Sequence, residues 1–380
     1  MERIYLDHAA TTPMDPRVVE AMNPIMTNVF GNPSSVHAFG RKARQYLDGA
    51  RRTMAKSIQA DEKEIVFTSG GTEADNLAMI GTAFANRDKG NHIITTVQEH
   101  HAALHTAEYL EQQGFDVTYL SVDETGSVNV DELKEALTEE TILVSVMYVN
   151  NETGVIQPIE SIGHVLKDHQ AYFHTDAVQA FGLMDIDVKK AGIDLLTASS
   201  HKINGPKGIA FLYGASHIKM NALQFGGEQE RKRRPGTENV AGVVGFQAAV
   251  ELAMELKAEK KQMYENFKEQ FMKRLSHNGV TYDVNGVLDH TVASIVNISF
   301  PGTNVESLLT NFDLEGIAAS SGSACTAGSV EPSHVLAAMY GENDERTTNS
   351  IRFSFGSFNT EENVMEAANR VAKIVKRLTE

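Results

Sequence analysis

From about residue 60 to residue 215, short apolar, β-branched runs alternate with amphipathic stretches. Runs at 65–68, 92–97, 117–120, 142–149, 172–174, 195–198 and 208–213 predict strands, and segments such as 131–137 and 159–167 predict helices between them. Alternation of this kind builds an α/β unit around a largely parallel sheet. The run Ile142-Leu143-Val144-Ser145-Val146-Met147 is almost wholly apolar, which suits a strand covered on both faces.

Beyond Pro235-Gly236 the period lengthens. Val243, Phe246, Val250 and Met254, then Met263, Phe267, Phe271 and Leu275, mark one long helical stripe with Lys and Glu opposite, and predict a helix bridging two domains. Strands at 292–300 and 351–355 and a helix at 305–311 follow. The last helix is signalled by Thr360 as N-cap, Glu361 and Glu362 in its first turn and Lys376-Arg377 near its end. This second part reads as a smaller α+β domain.

Composition narrows the function. The 380 residues include 34 Lys and Arg against 50 Asp and Glu, a formal charge of −16. Such a field repels phosphate backbones and anionic lipid, so nucleic-acid and membrane-surface binding are not expected. A single Cys cannot staple a fold or build a thiolate cage, which fits a reducing cytoplasm. The stretch Met1 to His8 lacks a signal-peptide pattern, and no apolar run approaches the roughly 18 residues of a membrane span. The expectation is a soluble cytoplasmic protein.

Several segments carry candidate chemistry. Thr68-Ser69-Gly70-Gly71-Thr72 follows a strand and opens a helix, where converging N–H groups suit a phosphate; an ordinary turn capped by Thr72 is the plainer alternative. It matches neither a dinucleotide fingerprint nor a Walker sequence. Asp176 arrives at the C-terminal end of an apolar strand, either as a ligand-binding carboxylate or as a cap. In Ser199-Ser200-His201-Lys202, a strand ends in hydroxyls, an imidazole and an amine. Desolvation there lowers a lysine pKa and makes a nucleophile, whereas a snorkelling Lys202 fits equally. Cys325 sits among Ser, Ala and Gly residues that cannot build a core around it, so an accessible thiol is expected. His101 and His105 are spaced as metal ligands on a helix, but no third ligand shows; His100 suits stacking on a flat ligand or moving protons. The basic run at 231–234 is either a solvated turn or an anion contact near Thr237.

In order and spacing these segments resemble the cysteine desulfurases of the NifS/IscS type, in the class V aminotransferase group of fold-type-I pyridoxal-phosphate enzymes. The resemblance runs from Tyr5-Leu6-Asp7-His8-Ala9-Ala10 through Gly31-Asn32-Pro33-Ser34-Ser35 to Ser350-Ile351-Arg352-Phe353-Ser354. It implies an α/β fold with a large cofactor domain at 14–258 and a small α+β domain formed by 1–13 and 259–380. It implies pyridoxal 5'-phosphate, with Lys202 as the Schiff-base lysine and Asp176 keeping the ring nitrogen protonated. Asn151 and Gln179 match contacts to the ring oxygen, His100 the stacked imidazole, and Gly71, Thr72, Ser199 and His201 the phosphate ligands. Thr237 matches a phosphate ligand from the partner subunit of a homodimer. Arg352, with Asn151, matches the clamp on the substrate carboxylate.

Cys325 matches the nucleophile that takes sulfur from L-cysteine as a persulfide, releasing L-alanine, with Lys202 moving the α-proton and His100 carrying protons. The stretch Ser320 to Ser329 is similar to the longer loop of the NifS/IscS group. The acceptor implied is a protein, either a tRNA 2-thiolation enzyme or an iron–sulfur scaffold. The short stretch after the last helix, where similar housekeeping members carry a docking tail, favours the former. No resident metal is implied; Cys325 at most touches a partner-bound iron–sulfur cluster. The alternatives are a selenocysteine lyase, another class V lyase or transaminase, or a non-catalytic binding protein of the same fold.

Overall fold

A computed structural model describes residues 2–322 and 332–380. In chain order the elements are β1 (Ile4–Tyr5), α1 (Pro16–Asn28), α2 (Ala38–Ser57), β2 (Ile65–Thr68), α3 (Gly71–Ala85), β3 (His92–Thr96), α4 (His101–Gln112), β4 (Asp116–Leu120), α5 (Val130–Ala136), β5 (Thr141–Ser145), α6 (Ile159–Leu166), β6 (Tyr172–Asp176), β7 (Leu195–Ser199) and β8 (Ala210–Gly214). Then follow α7 (Val240–Glu255), α8 (Lys257–His277), β9 (Asp283–Val284), β10 (Ile295–Ser299), α9 (Val305–Leu314), β11 (Ile317–Ala318), α10 (His334–Tyr340), α11 (Arg346–Asn349), β12 (Ser350–Ser354) and α12 (Glu361–Thr379).

Seven strands form one sheet in the order β2-β8-β7-β6-β5-β3-β4. Their residues are almost all buried, as expected for strands covered on both faces. Only β8 runs against its neighbours, pairing antiparallel with both β2 and β7. The other six strands therefore point the same way and open their C-terminal ends along one edge. The expected strand 142–149 is regular only as far as Ser145; the Val146 and Tyr148 N–H groups still donate to the His174 and Asp176 carbonyls at 3.1 and 2.8 Å, and the chain then turns at Asn150. Its Oδ1 accepts the N–H groups of Glu152 and Thr153, both at 2.9 Å.

The single bridging helix expected from the apolar stripe is two helices. Leu256, at φ −96° and ψ 6°, breaks it between α7 and α8. The break lets one stripe serve two cores. Val243, Phe246 and Val250 pack into the core of the large sheet, whereas Phe267, Phe271 and Leu275 join a second core with β10, β12 and α12. The chain start belongs to that second core: β1 pairs with β11, and Ile4 and Leu6 are buried there. Helix α12 begins as its sequence signals, with Thr360 and Asn363 forming a reciprocal capping box. Among the described residues, no helix is long and apolar enough to cross a membrane.

Candidate active site

The C-terminal ends of β2, β3, β5, β6 and β7 lead into one cavity of about 360 Å³. It is lined by Gly71, Thr72, His100, Asn151, Asp176, Gln179, Ser199, His201, Lys202 and Arg352, which the sequence reading had scattered over nearly 300 positions. Thr237 is exposed and does not line the cavity of its own chain. Cys325 lies outside the described residues.

Thr68 ends β2, and α3 opens at Gly71. Gly70 is the N-cap and supplies no side-chain bond, so the turn is not capped by Thr72, contrary to the plainer reading above. Without a cap, the first N–H groups of α3 remain available, and the helix dipole adds positive potential. A Cβ on Gly71 would meet Val178 Cγ2 at 3.2 Å, a close fit that favours glycine. On β7, the Ser199 hydroxyl is buried without a partner. An anion is the natural complement of these groups.

Asp176 ends β6, beside β7, and its Oδ1 accepts the Val178 N–H at 2.9 Å. Desolvation raises its pKa, and the His100 and Lys202 charges oppose the rise. Behind it, Asp75 is sealed without a cation, and desolvation together with the Asp176 charge holds it well above the usual carboxylate range. Burial likewise pushes Glu99 up to about 8. The anionic role therefore falls to Asp176, the one of the three that faces the Lys202 amine. His174, whose Nδ1 lies 2.9 Å from Ser145 Oγ, is held down to about 3 by burial, so its 3.6 Å approach to Asp75 is not an ion pair.

Lys202 closes the short turn after β7. Its Nζ donates to the carbonyls of Ala9 and, at 2.9 Å, Ala10. Burial lowers its pKa to about 8, helped by the Arg352 charge. The N-terminal segment also grips the neighbouring backbone, with Thr12 donating to the His201 carbonyl through both N (3.0 Å) and Oγ1 (2.8 Å). Gln179 Nε2 donates to the Ala9 carbonyl at 2.9 Å. His100 caps α4: its Nδ1 accepts the Ala102 N–H at 3.1 Å, which leaves the ring proton on Nε2. Burial lowers the His100 pKa.

Arg352 comes from β12, in the second core's sheet. Its Nη1 donates to the Asn151 carbonyl at 2.9 Å and its Nη2 to Asp7 Oδ1 at 2.8 Å. Each terminal nitrogen keeps a second N–H, enough to grip a carboxylate at two points.

Sequence reasoning missed Asp7, Asp75, Glu99, Glu152 and His334. Asp75 carried one usable signal, a carboxylate in a helix that is otherwise mostly small and apolar. The stacked His101 and His105 rings lie 5.1 Å apart, and His334 is 5.0 Å from His101. Among the described residues no group of His, Cys, Asp and Glu is arranged to hold a metal ion.

An amine, a strand-end carboxylate, an uncapped helix start and a guanidinium thus meet in one cavity. Residues 4–366 match the aminotransferase class-V family model, and the chain belongs to that family. Within it, the chain groups with the IscS and NifS type of cysteine desulfurase. It is 60% identical over 379 residues to the IscS 1 protein of Bacillus subtilis (strain 168), covering 100% of both chains. The cysteine desulfurase IscS of Methanosarcina thermophila is 49% identical, over 99% of this chain and 92% of that one. Among solved structures, a NifS-like protein matches with a TM-score of 0.92 and 34% identity, over 99% of this chain and 100% of that one. SspA in complex with cysteine matches with a TM-score of 0.80 and 35% identity, over 94% of this chain and 99% of that one.

Proposed function

We propose that the protein is a pyridoxal-phosphate-dependent cysteine desulfurase that moves the sulfur of L-cysteine to Cys325 and releases L-alanine. The observation that carries this reading is the meeting of Lys202, Asp176, His100 and Arg352, from four separate elements, around one cavity. The residues present fit the cofactor. The uncapped start of α3 and the unpartnered Ser199 hydroxyl suit its phosphate, with Gly71, Thr72 and His201 beside them. Asp176 suits its ring nitrogen, Asn151 and Gln179 its ring oxygen, His100 its face and Lys202 its aldehyde. When bound, the cofactor supplies an electron sink that makes the substrate Cα–H acidic.

Arg352 then holds the substrate carboxylate, using the N–H groups not taken by Asp7 and Asn151. Lys202, with a pKa near 8, is a base matched to neutral pH and moves the α-proton. The thiolate of Cys325 attacks the substrate sulfur, the C–S bond breaks with its electron pair going to carbon, and protonation of that carbon gives alanine. The Cys325 persulfide passes to a thiol on an acceptor protein. His100, neutral with its proton on Nε2, is placed to move protons in these steps.

The working unit is a homodimer in which Thr237 completes the partner's phosphate site. Phe30, Phe39 and Phe225 are exposed, apolar surface that a second copy would cover. The single Cys and the acidic charge suit a cytoplasmic setting and transfer from protein to protein. The test is direct. Purified protein should be yellow, lose colour to borohydride with the label on Lys202, and, with an added thiol reductant to discharge the persulfide, yield sulfide and alanine in equal amounts from L-cysteine. Failure to take up the cofactor overturns the reading.

A further inference from the structure

Glu152 follows Asn151 in the turn after β5 and is almost completely buried. Its backbone is tied down at both ends: its N–H donates to Asn150 Oδ1 at 2.9 Å, and its carbonyl accepts from Asn297 Nδ2 at 3.3 Å. The side chain lies directly against Gly322. A Cβ placed there would fall 1.6 Å from Glu152 Cδ and 2.0 Å from Oε2, so any side chain at 322 has to displace this carboxyl. The Ser333 hydroxyl is near enough to the same carboxyl to oppose the rise that burial gives its pKa. Ser333 is itself buried, and its Oγ accepts the Leu336 N–H at 3.0 Å to cap α10.

Gly322 and Ser333 stand on either side of Cys325 in the chain, three residues before it and eight after. One buried carboxyl thus touches one flank of the only cysteine and stands near the other. Arg352 is the cation whose charge reaches it, and burial outweighs that charge to push Glu152 up to about 7. Such a group is costly to bury and has no part in the chemistry assigned above.

We propose that Glu152 is a positioning residue: its carboxyl clasps the chain beside Cys325 by its contact with Gly322, close to Ser333 on the other flank, and so sets where those flanks stand beside Arg352. The role in sulfur transfer rests on the desulfurase reading; the clasp itself does not. Because Cys325 is the only cysteine, its alkylation by iodoacetamide reads the clasp without any turnover.

The experiment uses cofactor-loaded full-length protein carrying Glu152→Gln, Glu152→Ala, Gly322→Ala, or the last two together. Glu152→Ala and Gly322→Ala should each change the alkylation rate by about threefold or more, and the double variant should go no further than Glu152→Ala alone, since the clash is then gone. Glu152→Gln keeps the shape, and with it the contact to Gly322, and should stay within about twofold of the parent. Sulfide release at saturating L-cysteine should fall on the order of 10- to 100-fold in the two single disruptions, while the cofactor's spectral response to L-alanine keeps its midpoint. Unchanged alkylation in both single variants, or effects that multiply in the double variant, overturns the clasp. Changed alkylation with unchanged sulfide release overturns the positioning role. If the parent protein releases no sulfide, the desulfurase reading and this role fail together, and alkylation still decides the clasp.

Discussion

Arg51 and Glu230 form a buried ion pair that ties the chain between β8 and α7 to the edge of the large sheet. Arg51 Nη1 donates to Glu230 Oε2 at 2.7 Å and to the Ile65 carbonyl at 2.6 Å, and its Nη2 donates to Oε1 at 2.6 Å. Glu230 Oε2 also accepts the Phe67 N–H at 2.9 Å, and the guanidinium lies 4.8 Å from the Phe67 ring centroid. The two side chains are 6% and 3% exposed, so water cannot replace either partner. Glu230, Arg231 and Lys232 all have left-handed backbones, with φ of 45°, 57° and 66°. Three such non-glycine residues in a row cost roughly 1 kcal/mol or more each, and persist only where the surroundings enforce them. Arg51→Ala leaves a buried carboxylate with one remaining donor, and the expected loss is about 3–5 kcal/mol. Arg51→Met with Glu230→Gln removes both charges and keeps an acceptor for Phe67, so its expected loss is only about 1–2 kcal/mol. Urea unfolding followed by circular dichroism measures both, at fixed protein and cofactor concentrations because ligand binding raises apparent stability. A loss under about 1 kcal/mol for Arg51→Ala, or a double variant no better than the single one, refutes the account of a charge stranded by its partner's removal.

Lys202→Ala should leave a folded protein that releases no sulfide and cannot be labelled by borohydride; sulfide release near the parent rate contradicts the assignment. In gel filtration with light scattering the protein should run as a dimer, and a fully active monomer argues against the shared Thr237 site. Glu99 is held near 8 in the fold against an unfolded value of 4.5. Below 4.5 both states are protonated; between 4.5 and 8 only the fold keeps the proton, so its stabilising contribution is lost as pH rises through that window. Glu99→Gln should therefore gain stability relative to the parent between pH 4.5 and 8, and a pH-independent difference in urea midpoint speaks against a protonated Glu99. Thr360→Ala removes the cap of α12 and should cost about 1 kcal/mol, read by thermal unfolding.

Much of the scaffold was legible locally. Alternating apolar runs mark the parallel strands, and Thr360 with its flanking charges marks α12, because burial on two faces and helix capping depend on near neighbours. The sense of β8 was not legible: its residues are as apolar as a parallel strand's, and only pairing with β2 and β7 decides its direction. Nor was the break at Leu256, since a helical period continues across it and only two differently placed cores require the stripe to turn. Helices α1 and α2 lie outside the alternating region that guided the reading, although Asp15-Pro16 is a start signal for α1; Asp15 accepts the Arg17 N–H at 2.9 Å.

The sequence by itself determined the candidates: reactive types at strand ends stand out against apolar surroundings at Lys202, Asp176 and His100, and the family resemblance added Arg352. Tertiary structure decided their state and their company. Lys202 falls to about 8 because burial and a distant Arg352 surround it, and its amine is held by carbonyls nearly 200 residues away. Asp75 and Glu99 were not singled out by the sequence, yet burial near Asp176 raises both. Glu152 meets Gly322 and Ser333 only in the fold. Composition and spacing record what each residue can donate or accept; the electrostatic work of burying a charge depends on everything that closes around it, which one-dimensional pattern does not contain.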